Sequence, residues 1–416
     1  MIDLERRKVL IGAAVSAAAI GVAGSAKAAS FGNPDSPAEG RINGKNPTSL
    51  NDPGPRNEAL ADQFPSSQNP PATDVNGMPQ FWASFNNVHK RYQNGGWARQ
   101  VTQADFAISK DIAGVNMRLS NGGIRELHWH QEAEWAIMLD GKCRVTVLDE
   151  LGRPEVRDVQ TGDLWYFPAG LPHSLQGFGS NGAEFLLAFD SGKFSEFSTL
   201  LVTEWVAHTP PEVLAQNFGV PADAFRNIPL QQKWIFQGTP PGPLAADERA
   251  VQSSKGSPPS SFVWPMSGMS ATRQSRGGSV TIADSRNFTA SKTIAAALVA
   301  VKPGGIRELH WHPHADEWQY WLKGRGRMTV FDTGPKAQTA DFNAGDVGYV
   351  KKNLGHYVQN TGTTDLVFLE LFKSDRYAEV SLSDWLRHTP PQLVMQHLNI
   401  SAETLAQLSK VRPDTV

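Results

Sequence analysis

With 416 residues, 40% of them apolar and 19% charged, the chain is long enough for two or three domains with sizeable cores, and its composition excludes a disordered or fibrous protein. The formal charge of −2 provides no basic field for nucleic acid. A single cysteine, Cys143, excludes an internal disulfide; it opens an apolar strand with nothing nearby to lower its pKa, so it reads as a buried structural thiol.

Residues 1–28 read as an export signal. Arg6-Arg7 precedes an uncharged run from Val9, and Ala26-Lys27-Ala28 forms a small-x-small cleavage site. The paired arginines point to the twin-arginine route, and the Ala- and Gly-rich run is weakly hydrophobic for a permanent span. Removing this segment leaves 35 basic and 39 acidic residues, a charge of −4, on a protein expected outside the cytoplasm, periplasmic or extracellular. Residues 29–80, rich in Pro, Asn, Gly and Ser, read as an extended arm, and residues 237–262 as a linker of similar composition. They flank two domains, 81–236 and 263–416.

Those domains are copies of one another. Ile124-Arg-Glu-Leu-His-Trp-His130 recurs as Ile306-Arg-Glu-Leu-His-Trp-His312, an offset of 182. Gly162-Asp163 recurs as Gly345-Asp346, offset 183, and His208-Thr-Pro-Pro211 as His388-Thr-Pro-Pro391, offset 180. Within each copy, short β-rich segments such as CRVTVLDELG and RMTVFDTG alternate with Gly, Asp and Pro turns, which predicts an all-β fold of two antiparallel sandwiches or barrels. Helical pattern appears only after each HTPP, with the prolines at helix starts behind a threonine cap.

Eight of the eleven histidines fall in repeated motifs. His128 and His130 are two apart on a strand and share a face, Glu134 follows four later, and His173 lies beyond a strand and turn. The second copy supplies His310, His312, Glu317 and His356. Here the glutamate is five beyond the second histidine, so a turn or bulge must re-aim it. His314 falls between repeat-matched positions and is a poor ligand candidate. Three imidazoles and a carboxylate with two open positions suit an octahedral ion such as Mn²⁺ or Fe²⁺, with zinc as the rival. Arg125 and Arg307 stand three before the first histidine of each set, an odd step that faces away from the site unless the strand bends. An arginine beside a metal clamps a carboxylate through paired hydrogen bonds.

The motifs GGIRELHWHQEAEWAIML, GDLWYFPAGLPHS, GGIRELHWHPHADEWQYWLKGRGRMTVF and AGDVGYVKKNLGHYVQN closely resemble bicupin oxalate decarboxylases, over roughly residues 80–412. The resemblance implies two tandem cupin barrels of the jelly-roll type with short flanking helices, Mn²⁺ in both, dioxygen as a further cofactor, oxalate as substrate, formate and CO₂ as products, and trimers paired into hexamers. It implies a metal site of His128, His130, Glu134 and His173 with Arg125, and another of His310, His312, Glu317 and His356 with Arg307.

The copies differ where a proton donor is needed. Glu370 lies fourteen after His356, and the matching first-copy position is Leu187. The first copy carries Ser195-Glu196-Phe197-Ser198-Thr199, which in the family resembles a mobile lid whose glutamate handles the proton at the first site. Phe197 departs from the asparagine common there, which bears on lid closure and side oxidation. Glu196 favours a decarboxylase over an oxalate oxidase making CO₂ and peroxide, and eight intact ligands weigh against a bicupin without catalysis.

Overall fold

The computed structural model describes residues 55, 57–75, 77–334, 336–408 and 414–416. The export signal at 1–28 and the arm up to residue 54 lie outside them. Among the described residues the first copy forms an eleven-stranded antiparallel sheet, and the second forms sheets of seven and five strands. In the first, Glu134–Leu148 and His173–Phe189 are each one continuous strand, with register shifts in their pairing at Met138/Asp140 and Gly141/Lys142. In the second, the matching wall is two strands, Glu317–Lys323 and Arg325–Asp332, with Gly324 between them; Gly324 and its counterpart Gly141 both turn through a positive φ, near +84° and +81°.

Strand alternation decides what each barrel encloses. Along Glu317–Lys323, Trp321 joins the interior of the second barrel, while Trp318 and Tyr320 join a core shared with the first. Gly114 makes room for this junction: a Cβ there would sit 2.6 Å from the Trp318 indole. Fully buried rings such as Phe185 and Phe368 each contribute about 1.5–3 kcal/mol by leaving water.

The barrels also exchange strands. Trp82–Ser84, which precedes the first barrel, pairs with Asp346–Val350 of the second, and Val263–Trp264, which precedes the second, pairs with Leu164–Phe167 of the first. The arm continues along the second barrel and is not wholly extended. Helix Glu58–Gln63 is capped by Asn57 Oδ1, and the Ser66 N–H donates to Asp341 at 2.6 Å. Segment 237–262 carries helix Leu244–Ala250, whose Asp247 and Glu248 accept from Arg144 and Arg157 of the first barrel at 2.6 Å each.

The helices after each HTPP are present as Pro211–Phe218 and Pro391–Leu398, but the threonine cap is not. Proline occupies each N-cap position. The Thr209 and Thr389 hydroxyls instead donate back to Trp205 and Trp385 carbonyls at 2.8 Å, closing the preceding helices.

Candidate active site

Each barrel brings its three histidines and glutamate to one interior point. His128 lies on strand Gly123–Trp129, His130 directly follows it, and Glu134 opens the next strand. Ile306–Trp311, His312 and Glu317 repeat this order. The extra residue before Glu317 is absorbed by the turn. Cross-strand pairing sets His173 against His128 and His356 against His310. In each set one ligand atom per residue lies within 4.8 Å of the others, and all eight side chains are buried. His314 is exposed and belongs to neither set. Cys143 is buried, and burial pushes its thiol up, as a structural role requires.

The imidazoles are oriented by backbone carbonyls. His128, His130 and His173 donate from Nδ1 to Glu126, Glu132 and Leu171 at 2.6–2.8 Å. His310, His312 and His356 donate to Glu308, Ala378 and Leu354 at 2.6–3.1 Å. A carbonyl only accepts, so the proton sits on Nδ1 and every Nε2 presents its lone pair inward. Burial, a nearby arginine and neighbouring imidazoles hold His128 and His310 well below the usual histidine range, so both are neutral ligands. Among the described residues His173 Nε2 and His310 Nε2 are buried without a hydrogen-bond partner, which suits metal ligands. Glu134 is buried beside two of these imidazoles, its Oε2 3.4 Å from His130 Nε2 and 3.6 Å from His173 Nε2. Its Oε1 accepts from Trp165 Nε1 at 2.8 Å, and Glu317 Oε1 accepts from Gln319 Nε2 at 2.7 Å. This donor set fits a divalent ion with open positions for a substrate.

The odd step to the arginines is resolved by strand irregularity. Register shifts between Arg125 and His128, and between Arg307 and His310, bend the strands and turn both arginines inward. From there the sites diverge. Arg125 is 3% exposed, and among the described residues its guanidinium makes one hydrogen bond, to the Trp234 carbonyl at 3.4 Å, while lying over the Trp234 ring. Burial pushes its pKa down to about 10, opposed in part by Glu196. Arg307 is enclosed by acceptors: Glu370 Oε1 at 3.4 Å, the Tyr377 hydroxyl at 2.8 Å, the Asp414 carbonyl at 3.3 Å, and Glu379 in a short ion pair. Burial pushes Glu370 up to about 8, with Arg307 opposing. Leu187, its first-barrel counterpart, is apolar and buried between Val115 and Ala136.

Glu196 sits in a one-turn helix, Glu196–Ser198, capped by Ser195. It is buried, its backbone N–H donates to Gln100 Oε1 at 3.0 Å, and its Oε2 forms an ion pair with Arg91. Its Oε1 is buried and accepts no hydrogen bond among the described residues. The root of the segment is pinned at Gly192, where a Cβ would sit 1.9 Å from the Ser109 carbonyl. Phe197 points outward, 69% exposed, with its ring edge-on to Trp234 at 5.8 Å.

The cupin family profile matches residues 84–224 and 268–406. The chain is 50% identical over 362 residues to oxalate decarboxylase OxdC of Bacillus subtilis, covering 87% of this chain and 93% of that protein. It is 41% identical to a probable oxalate decarboxylase of Arthroderma benhamiae, covering 82% and 84%. The chain belongs to the bicupin oxalate decarboxylase family. A solved structure of the Bacillus subtilis oxalate decarboxylase, at 50% identity, superposes with a TM-score of 0.85 over 87% of this chain and 94% of that one. A further structure of that enzyme, with a TM-score of 0.85, concerns its Mn(II) centres.

Within this oxalate decarboxylase-family frame, four residues escaped the reading of the motifs. Glu379 is the repeat counterpart of Glu196: His173 and His356 are 183 apart, and so are Glu196 and Glu379. Arg91 and Arg273 occupy matching edge strands, opposite Ala98 and Val280, and pair with Glu196 and Glu379 respectively. Trp234 reaches the site from a segment more than a hundred residues downstream of Arg125. The repeat offset was the signal available for Glu379. After these glutamates the copies part: Leu201 pairs with His128 and Ser381 with His310, an offset of 180, so 197–199 are three extra residues in the first copy.

Proposed function

We propose that the protein is a manganese-dependent oxalate decarboxylase with dioxygen as a cofactor, and that the first barrel carries the reaction. The observation that selects the barrel is the state of the two arginines. Arg125 has no carboxylate partner among the described residues, whereas Arg307 already holds Glu379 and Glu370. A substrate carboxylate entering the second site must displace a buried ion pair. One entering the first finds an open guanidinium.

The reaction converts the oxalate monoanion to formate and CO₂, which balances without net oxidation. His128, His130, Glu134 and His173 would hold the manganese, which with dioxygen supplies one-electron redox chemistry to oxalate. Arg125 fixes the carboxylate that is retained, through its planar fork. Glu196 accepts the substrate's acidic proton and returns it to carbon after CO₂ departs. Its buried Oε1, without a hydrogen-bond partner among the described residues, supports this role. The lid carrying it shields the carbon from water and dioxygen until the proton arrives. The second set, His310, His312, Glu317 and His356, would hold a second manganese behind Arg307 and Glu370.

The export route and the assembly are part of the same reading. Arg6-Arg7 and Ala26-Lys27-Ala28 support twin-arginine export to the periplasm or beyond, and among the described residues no helix is long and apolar enough to cross a membrane. Leu127 and Leu309, and likewise Trp205 and Trp385, are matched across the repeat, and all four are 45–65% exposed. Such paired apolar patches support a homo-oligomer, a trimer or hexamer.

Incubating manganese-loaded protein with oxalate tests the activity. One formate per oxalate with little peroxide is expected. Peroxide with two CO₂ per oxalate would identify an oxidase, and no turnover at full manganese loading a binding protein.

A further inference from the structure

We propose that Arg91 is the latch of the first lid, a positioning residue that holds Glu196 inside the site; this rests on the reading of Glu196 as the proton carrier. Arg91 lies on edge strand Arg91–Gln93, remote in sequence from both the lid and the metal ligands. Its Nη2 meets Glu196 Oε2, and its Nη1 donates to Gln93 Oε1, which fixes the plane of the guanidinium. Its Cζ lies over the Trp234 ring at 5.0 Å and over the Phe197 ring at 5.9 Å. Trp234 thus lies against both arginines of the site, with Arg91 gripping the lid and Arg125 left open toward the interior.

The division of oxygens follows. The latch takes Oε2 and leaves Oε1 buried without a partner. A latch is needed in the first barrel because the three extra residues after Glu196 provide slack. In the second barrel Glu379 is followed at once by strand Val380–Ser381, which is hydrogen-bonded to Trp311 and His310. There Arg273, the counterpart of Arg91, shares its glutamate with Arg307 and restrains a segment that is already tied down.

The experiment compares the manganese-loaded protein with its Arg91→Met, Arg91→Lys and Arg273→Met variants. It reads amide hydrogen exchange in residues 195–199 together with formate and peroxide yields. Arg91→Met should speed exchange in 195–199 by about tenfold or more, as expected on losing a hydrogen bond between charged groups, and should raise the peroxide share. Arg91→Lys, which retains the cation, should recover most of both. Arg273→Met should leave exchange in 195–199 as it is. Unchanged exchange in Arg91→Met, or an Arg91→Lys variant as fast as Arg91→Met, overturns the latch. Faster exchange with an unaltered product ratio upholds the latch and overturns the proton-carrying role of Glu196.

Discussion

The side chains of Arg307 and Glu379 form a buried ion pair, 0% and 1% exposed, whereas Arg125, the counterpart of Arg307, has no carboxylate partner among the described residues. Removing one partner of such a pair strands a charge in the interior, at a cost of about 3–5 kcal/mol. Glu379→Ala should therefore destabilise the protein, though by less than that amount, because Glu370 stays 3.4 Å from Arg307. Glu196→Ala should cost much less, because Arg91 is 20% exposed and is reached by water. Denaturant unfolding of both variants at matched metal content checks this. Equal losses would show that the two glutamates are held alike, and would remove the ground for assigning them different roles.

Metal stoichiometry should be about two manganese ions per chain at full loading, one for each buried ligand set. His173→Ala and His356→Ala should each remove about one ion, and metal analysis of the purified variants reads this directly. One ion in the unsubstituted protein after manganese-rich expression would contradict the equivalence of the two sets.

Arg125→Lys keeps the charge and loses the planar fork. Turnover should fall substantially while manganese content stays constant. Steady-state kinetics on metal-matched protein decides, and full activity would make Arg125 a structural residue.

The pH response follows from the histidines. His128, His173 and His310 lie below their ordinary value of 6.5, through burial first, so protons compete with the metal only in acid well below that pH. Manganese content, measured after dialysis at stepped pH, should hold through 6.5 and fall only further down; loss centred on 6.5 would contradict the depressed values. The sign for the metal-free protein is the same. Between the folded and unfolded values the unfolded chain binds more protons, so the stability contributed by these groups is present above about 6.5 and is lost as pH falls.

The ligands were legible because they sit in short local motifs written twice. Strand alternation aligned His128 with His130, and the repeat supplied the second set. The inward turn of Arg125 and Arg307 was not legible, because it depends on a register shift that only cross-strand pairing reveals. The exchanged strands Trp82–Ser84 and Val263–Trp264 were likewise hidden, since each pairs with a partner far away in sequence. The threonine caps failed because the hydroxyl of Thr209 closes the helix before it rather than the one after. Glu379 was within reach, as its offset of 183 from Glu196 equals that of the histidines, but no local motif surrounds it.

In the proposed mechanism the first barrel performs the chemistry with Glu196 as its acid and base. Formate and peroxide yields from Glu196→Ala and Glu370→Ala, at matched manganese content, test it most directly. General acid–base groups contribute roughly 10²–10⁴-fold, so Glu196→Ala should lose formate production by about that factor while peroxide becomes the larger share of its product. Glu370→Ala should retain formate as its main product. Near-normal formate from Glu196→Ala, with none from Glu370→Ala, would contradict the account and place the reaction in the second barrel.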